Sequence, residues 1–145
     1  MLKQIKIKRF DPSLPLPEYK TAGAAGFDLA ARETVTLKPG VTALIPLNVA
    51  IAVPKGYFVL LAARSSLHKL GLLPVNGVGI IDTDYAGDED EYKFLAHNFT
   101  RKTVTVEKGT RVAQGILLKF SRATWRETSK MKAKTRGGFG STGHR

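Results

Sequence analysis

The sequence contains no cysteine, and it has no apolar run long enough to cross a membrane. Without cysteine, neither a disulfide nor a zinc site with thiolate ligands can form. A membrane-spanning helix needs about 20 consecutive, mostly apolar residues, and no such run occurs. The opening segment MLKQIKIKRF alternates apolar and basic residues, so we expect no signal peptide. These absences favour a cytoplasmic protein (in the host cytoplasm if the source is a virus) that does not associate with a membrane.

Acidic residues are the scarcer charge, since 12 Asp and Glu stand against 23 Lys and Arg, for a formal net charge of +11. A strongly basic chain suits anionic partners, which include nucleic acids and phosphate-bearing small molecules. Charge alone does not choose between them. The length of 145 residues fits one domain.

Helical periodicity is nearly absent, because most of the chain alternates apolar and polar residues with a period of two. The alternating segments are separated by the turn tripeptides Lys-Pro-Gly, Pro-Lys-Gly and Glu-Lys-Gly. Several short strands at regular spacing are typical of an all-β barrel or sandwich. Only SSLHKLGL can hold a short helix, which we expect Gly71 to end. Residues 121–145 differ, because they are basic and glycine-rich and therefore predict a mobile tail.

Half of the scarce acidic residues are gathered in VNGVGIIDTDYAGDEDEY, residues 75–92. A calcium loop of the EF-hand kind starting at Asp82 would lack ligands at Ala86 and Lys93, its fifth and twelfth positions. The three histidines are far apart in the sequence, and no thiolate can help them bind zinc. Asp82 directly follows two apolar residues, and a carboxylate held at the end of a buried strand suits general-base catalysis. A turn-capping acid is the simpler alternative.

Three further features are candidates for substrate contacts. Asn76-Gly77 predicts a two-residue hairpin turn of type I′, for which a purely structural role is the alternative. Tyr85 offers a flat ring to a sugar or a base. The segment ARSSL, residues 63–67, places a guanidinium and two hydroxyls at a possible helix start, which suits phosphate. A serine that only caps the helix is an equally good interpretation on local grounds.

Five segments occur in a fixed order: AGFDLAA (25–31), ARSSL (63–67), NGVGIIDTDYAG (76–87), GTRVAQGIL (109–117) and GGFGSTG (137–143). In this order they resemble the five motifs of the trimeric dUTP diphosphatases, the dUTPases. The resemblance covers nearly the whole chain, and IDxDYxG combined with a terminal GGFGSTG is highly specific. It implies an all-β, jelly-roll-type barrel with at most one short helix. The barrel domain would span residues 1–129 and a flexible C-terminal lid residues 130–145.

The resemblance also implies an activity, namely hydrolysis of dUTP to dUMP and diphosphate. That reaction limits uracil incorporation into DNA and supplies dUMP for thymidylate synthesis. Asp82 matches the general base that activates water for attack on the α-phosphorus. Asp28 matches the first-motif Asp, with a supporting role around the metal-bound site. The implied cofactor is Mg²⁺, held by the triphosphate without a direct protein ligand, because Mg²⁺ dehydrates reluctantly.

The remaining site residues are carried over motif by motif, in active sites that three subunits of a homotrimer share. Main-chain groups around Asn76 would bind uracil, Tyr85 would exclude a ribose 2′-hydroxyl, and Phe139 would stack on the base when the tail closes. Uracil and deoxyribose would contact Asn76, Gly79, Ile81, Tyr85 and Phe139. The phosphates would contact Arg64, Ser65, Ser66, Gln114, Lys134, Arg136, Ser141 and Thr142.

Three features depart from the usual pattern of that family. About three additional acidic residues, Asp88–Asp90, follow the third motif, and we expect them to form a solvated loop. Lys134 occupies the position of the usual fifth-motif Arg, while Arg136 lies two residues later, and either could bind the γ-phosphate. Gly115 stands where a bulky aliphatic residue is usual, so we expect altered packing or a strand bulge there.

Two alternatives belong to other functional classes. A dCTP deaminase, or a bifunctional deaminase and dUTPase, shares the fold, but that family lacks the GGFGSTG segment. A non-catalytic basic binding module is favoured slightly by the charge of the tail. Nucleic-acid modules interleave aromatic and basic residues, however, and this tail offers only Trp125 and Phe139. We therefore expect dUTP and copies of this chain as partners, and neither nucleic acid nor a membrane.

Overall fold

The computed structural model describes residues 4–143, which form short β-strands and one 3₁₀ helix, Leu67–Leu70. The all-β prediction is confirmed. No helix in this part of the chain is long and apolar enough to span a membrane. The strands are β1 (Ile7–Arg9), β2 (Phe27–Ala30), β3 (Val35–Leu37), β4 (Thr42–Pro46), β5 (Val49–Ile51), β6 (Tyr57–Ala63), β7 (Leu72–Pro74), β8 (Gly79–Ile81), β9 (Lys93–Asn98), β10 (Val104–Val106) and β11 (Arg111–Lys119).

The strands pair antiparallel in four small sheets, as a jelly-roll-type fold requires. The largest sheet has the order β2-β11-β6-β8, and a second has the order β4-β9-β7. Two further pairs, β1-β5 and β3-β10, complete the described fold. Most neighbours are far apart in sequence, so the sheets are held together by long-range pairing. The core between them includes the fully buried side chains of Leu29, Leu37, Ile45, Leu47, Val59, Leu72, Val106 and Val112.

The three turn tripeptides join consecutive strands, as predicted. Their glycines, Gly40, Gly56 and Gly109, have φ angles of 73°, 82° and 86°, a left-handed backbone that glycine adopts without steric cost. The predicted end of the helix is also confirmed. Gly71 has φ 81°, and its amide donates a hydrogen bond to the His68 carbonyl.

The Asn76-Gly77 turn does not form the predicted hairpin. The strand before it, β7, pairs with β9, whereas β8 after it pairs with β6. Only Gly77 has a positive φ, 69°, although a type I′ turn needs one at both central residues. The Val78 amide instead donates to the Asn76 carbonyl at 2.8 Å and closes a three-residue turn. The prediction was wrong because the two flanking strands pair with partners in different sheets rather than with each other.

Gly115 changes the packing and not the regularity of its strand. It lies opposite Leu61 of β6 and Phe27 of β2 in uninterrupted register. The irregularity in β11 falls between Arg111 and Ala113. Of the two expected changes, a bulge at Gly115 was therefore wrong, and altered packing is what the structure contains.

The outer face of the four-stranded sheet is apolar and only partly covered. Along β6, Val59 and Leu61 point into the core, so Leu60 between them points outward. Leu60 lies opposite Ile80 on one side and Ile116 on the other. Ile80 remains 57% exposed. A contiguous apolar face of this kind marks an interaction surface.

Candidate active site

Asp28 lies between two guanidinium groups at one end of the four-stranded sheet. Its Oδ2 atom is 2.7 Å from Nη1 of Arg111, and its Oδ1 atom is 3.3 Å from Nε of Arg64. The Asp28 side chain is only 16% exposed, so little solvent screens these contacts. Both oxygens of this carboxylate are therefore engaged, and both arginines are held in place by it.

Gln114 brings the fourth motif to the same place. It lies opposite Asp28 in β2 and Ala62 in β6. Its Nε2 atom donates a hydrogen bond to the Ala63 carbonyl at 3.1 Å. Its Oε1 atom would be 2.6 Å from a Cβ at Gly26, so only glycine leaves room for the amide. Residues of the first, second and fourth motifs thus converge within one chain.

The two serines follow β6 directly and begin the 3₁₀ helix. Ser65 is exposed, and Ser66 is half-buried. Ser66 occupies the position before the helix, but its side chain makes no capping hydrogen bond. The capping alternative therefore gains no support. Both serines directly follow Arg64 in the sequence.

Asp82 and Tyr85 form a second cluster around the turn that follows β8. Asp82 directly follows β8 and is exposed, and its carbonyl accepts a hydrogen bond from the Tyr85 amide at 3.1 Å. The expectation that a buried strand precedes Asp82 was wrong for the single chain, because no residue of β8 is buried and Ile80 is 57% exposed. The Thr83 hydroxyl anchors the turn by donating to the Tyr57 carbonyl at 2.6 Å. A cavity of about 250 Å³ opens here, lined by Ile80, Ile81, Asp82, Tyr85, Glu91 and Lys93.

The other residues expected to contact the nucleoside lie along the same edge. Gly79 begins β8, where an added Cβ would lie 3.1 Å from the Leu61 Cβ, so the strand fits closely against β6. Ile81 ends β8 half-buried, and Asn76 is exposed in the preceding turn. Main-chain groups of this segment are therefore accessible to a ligand.

The two clusters lie at opposite ends of β6. Ile81 pairs with Val59 near the start of that strand, whereas Arg64 follows its last residue. At about 3.3 Å per residue, the five residues from Val59 to Arg64 span roughly 16 Å. A single copy of the chain therefore does not bring Asp82 to the arginine cluster.

The described part of the predicted lid, residues 130–143, contains no strand, and all of its residues except Gly138 are exposed. Every hydrogen bond of residues 121–143 in the described part of the chain stays within that segment. The Phe139 ring is fully exposed. Phe139 has a positive φ of 50°, and so do Gly137 before it and Gly140 after it, with φ angles of 86° and 89°. The same segment contains Lys134, Arg136, Ser141 and Thr142. The last two residues of the predicted lid lie outside the described residues.

The additional acidic residues form a turn on the surface. Asp88 and Glu89 are exposed, as expected of a solvated loop. Asp90 closes the turn, because its Oδ2 atom accepts from the Gly87 amide at 2.8 Å and its own amide donates to the Gly87 carbonyl at 3.1 Å. The Lys8 ammonium donates to the Asp88 carbonyl at 2.8 Å.

Glu91 was missed by the sequence analysis, because it looks like the last member of the acidic run. Its side chain is only 6% exposed. Arg32 donates to it twice, from Nε to Oε2 at 2.7 Å and from Nη2 to Oε1 at 3.1 Å. The Asn48 amide donates to Oε2 at 2.9 Å. The hydrogen bonds to Glu91 raise the pKa of Arg32 above its ordinary value, so the guanidinium stays charged.

Within residues 4–143, no three His, Asp or Glu side chains lie close enough together to hold a metal ion. Asp28, the carboxylate expected to support the metal-bound site, has both of its oxygens paired with arginines.

Comparisons with known proteins agree with the motif order. The dUTPase family model matches residues 13–143. The deoxyuridine 5′-triphosphate nucleotidohydrolase of Rickettsia prowazekii is 42% identical over 146 residues, which cover 97% of each chain. The corresponding protein of Rickettsia felis is 40% identical over 148 residues, with 98% of each chain covered.

Two solved structures show the same fold. The crystal structure of dUTPase from Streptococcus mutans matches with a TM-score of 0.75 and 32% identity, covering 82% of this chain and 98% of that one. The dUTPase of Staphylococcus bacteriophage 80alpha, solved with dUPNHPP, matches with a TM-score of 0.86 and 23% identity, covering 99% and 100%. At that identity the second likeness supports the fold alone.

Proposed function

The chain belongs to the dUTPase family, and from that premise we propose that it is a dUTP diphosphatase that hydrolyses dUTP to dUMP and diphosphate. The observation that carries the mechanism is the position of Asp82 and Tyr85 on one cavity. A carboxylate exposed there can reach a water molecule, and an aromatic ring beside it can face a sugar.

The reaction would take place in the cytoplasm, which a cysteine-free sequence favours. Its product would supply thymidylate synthesis, and its substrate would be kept out of DNA.

The proposed chemistry is a single displacement at the α-phosphorus. The Asp82 carboxylate accepts a proton from water as the water oxygen bonds to phosphorus. The bond from the α-phosphorus to its bridging oxygen breaks, and diphosphate leaves with the electron pair. The protein would contribute mostly positioning and charge stabilisation, because phosphoryl transfer needs little covalent help.

The arginine cluster would hold the phosphate chain. Arg64 provides a guanidinium already oriented by Asp28, which reduces the freedom lost on binding. Ser65 and Ser66 add hydroxyl donors, and Gln114 adds an amide. From the lid, Arg136 or Lys134 would reach the γ-phosphate with Ser141 and Thr142, while Phe139 covers the uracil.

A homotrimer would bring the two clusters together. Within one chain they are roughly 16 Å apart along β6, so the site needs another copy. The apolar outer face that includes Leu60, Ile80 and Ile116 offers the surface for association. We propose that one copy supplies Asp82 and Tyr85, a second supplies Arg64 and Gln114, and a third supplies the lid.

Mg²⁺ fits this arrangement as a companion of the substrate. With both Asp28 oxygens engaged by arginines, the triphosphate oxygens would be its ligands. Bound there, Mg²⁺ would neutralise negative charge on the leaving diphosphate.

The proposal is tested by measuring diphosphate release from dUTP, dCTP, dTTP and UTP side by side, with Mg²⁺ present. We expect turnover of dUTP and very little of the other three. Ammonia release from dCTP would instead support the deaminase alternative. Failure to hydrolyse any of the four would support a binding module.

A further inference from the structure

The hydroxyl of Tyr85 is tied to the main chain on the far side of the acidic turn. It donates a hydrogen bond to the Glu91 carbonyl at 3.0 Å. The ring is otherwise 38% exposed, with Tyr92 as its aromatic neighbour at a centroid distance of 6.5 Å. This one hydrogen bond therefore fixes the tip of a ring that its packing leaves partly free.

The carbonyl that receives this bond is held from two sides. The Glu91 side chain accepts both hydrogen bonds of Arg32 and one from the Asn48 amide. The next residue, Tyr92, is fully buried, and its amide and carbonyl pair with Val49 and Leu47 at 2.8 Å each. Glu91 is thus anchored through its carboxylate and through its neighbour.

The acidic turn makes this arrangement possible. Gly87 and Asp90 hydrogen-bond to each other in both directions, which folds the additional residues away from the cavity. Tyr85 and Glu91 therefore touch although six positions separate them. The exposed acids at the tip of the turn take no part in the contact.

We propose that Arg32 and Glu91 are positioning residues for sugar selection, because they hold the carbonyl that keeps the Tyr85 ring in place. This inference depends on the proposed function, in which Tyr85 faces the deoxyribose. The Tyr85 ring can exclude a ribose 2′-hydroxyl only if the ring is held rigidly. A shift of about 1 Å is already enough to misplace a reacting group. Neither Arg32 nor Glu91 would touch the substrate.

Tyr85→Phe tests the hydrogen bond from the Tyr85 hydroxyl to the Glu91 carbonyl, because the substitution keeps the ring and removes the hydroxyl. We expect the ratio of kcat/KM for dUTP to that for UTP to fall about fivefold, the scale of one hydrogen bond. If Tyr85→Phe leaves the ratio of kcat/KM for dUTP to that for UTP unchanged, this hydrogen bond has no role in sugar selection.

Arg32→Met and Glu91→Gln test the positioning pair. Each should lower the ratio about as much as Tyr85→Phe does, and neither should lower it further in a Tyr85→Phe background. Each should also lower Tm, because Arg32→Met leaves the buried Glu91 carboxylate without its partner and Glu91→Gln leaves the partly buried Arg32 guanidinium without its counter-charge. Arg32→Met combined with Glu91→Gln should recover Tm while the ratio stays low, which separates positioning from stability. The control is Asp88→Asn, an exposed acid of the same turn that should change neither quantity.

The outcomes distinguish the two proposals. If the wild-type protein does not release diphosphate from dUTP, the proposed function fails and the inference fails with it. If the wild type prefers dUTP, but Arg32→Met and Glu91→Gln lower only Tm, the proposed function stands and the positioning role is wrong.

Discussion

Gly115 lies directly beneath the ring of Phe27. A Cβ at Gly115 would come within 2.4 Å of the Phe27 Cζ atom and 3.1 Å of the Val59 Cγ1 atom. The ring on β2 therefore occupies the space that a side chain on β11 would fill. This compensation explains how the core tolerates glycine where the family usually has a bulky aliphatic residue.

The close contact predicts a strong size limit at this position. Gly115→Ala should lower the free energy of unfolding by about 1–3 kcal/mol, the usual cost of overpacking a core. Gly23→Ala is the matched control, because nothing lies within 4 Å of a Cβ there. Phe27→Leu should restore part of the loss in the Gly115→Ala background. Urea unfolding at one fixed protein concentration measures all four proteins, and equal effects of the two alanines would contradict the contact.

A second prediction concerns the proposed general base. Asp82→Asn should preserve the fold and nucleotide binding while lowering kcat by about two to four orders of magnitude, since an amide cannot accept the proton. Asp84→Asn, two positions later in the same exposed turn, is the control and should cost far less. Steady-state diphosphate release and binding of a non-hydrolysable dUTP analogue measure the two effects. Near wild-type turnover by Asp82→Asn would show that another group is the base.

The features predicted well from the sequence are those that depend on neighbours in the chain. The turn tripeptides and the end of the 3₁₀ helix at Gly71 depend only on which residue accepts a left-handed backbone. The hairpin at Asn76-Gly77 failed because strand pairing is long-range. A local turn preference does not determine which strand each flank joins.

Three residues, Arg111, Arg32 and Glu91, were missed for the same reason. Arg111 reaches Asp28 across 83 positions, and Arg32 reaches Glu91 across 59. Periodicity does not reveal such pairs, because an acid in a charged run looks the same whether solvent or a guanidinium surrounds it. The motifs with catalytic character were recognisable since their residues lie close together in sequence.

A third prediction concerns a buried hydroxyl. Tyr92 is fully buried, and its hydroxyl has no hydrogen-bond partner among the described residues. Burial raises the pKa of Tyr92 well above its ordinary value of 10.0. Below pH 10 both the folded and unfolded states keep the proton, whereas above it only the unfolded state loses one readily. Folding stability should therefore fall as the pH rises beyond 10.

Tyr92→Phe should remove this sensitivity. At pH 7 the variant should be as stable as the wild type or up to about 1–2 kcal/mol more stable, because an unpaired polar group leaves the core. Between pH 9 and pH 11 it should lose less stability than the wild type, since other tyrosines and lysines titrate equally in both. Thermal melts across this range measure the difference. Parallel pH profiles would show that burial does not raise the pKa of Tyr92.

The last prediction concerns the lid, for which composition and family resemblance suggest different roles. The hydrogen bonds of residues 121–143 stay within the segment, so removing residues 137–145 should leave the oligomer and its Tm nearly unchanged. Stacking of Phe139 on a base would be worth about 1–3 kcal/mol, and in the proposed function the lid would also contribute phosphate contacts. We therefore expect the deletion to lower kcat/KM for dUTP by about two orders of magnitude or more, and Phe139→Ala to reproduce part of that loss.

Closure of the lid can also be observed directly. Trp125 is the only tryptophan, so Trp125→Phe with Phe139→Trp leaves one fluorophore, placed where the base would stack. Its emission should shift when a non-hydrolysable dUTP analogue binds. The corresponding UTP analogue should cause no shift, because the Tyr85 ring would exclude its 2′-hydroxyl. A binding module would behave in the opposite way, because deletion would weaken binding to DNA or RNA and spare dUTP turnover. If the shortened protein hydrolyses dUTP as fast as the full chain, the segment is a solubilising tail and takes no part in closing the site.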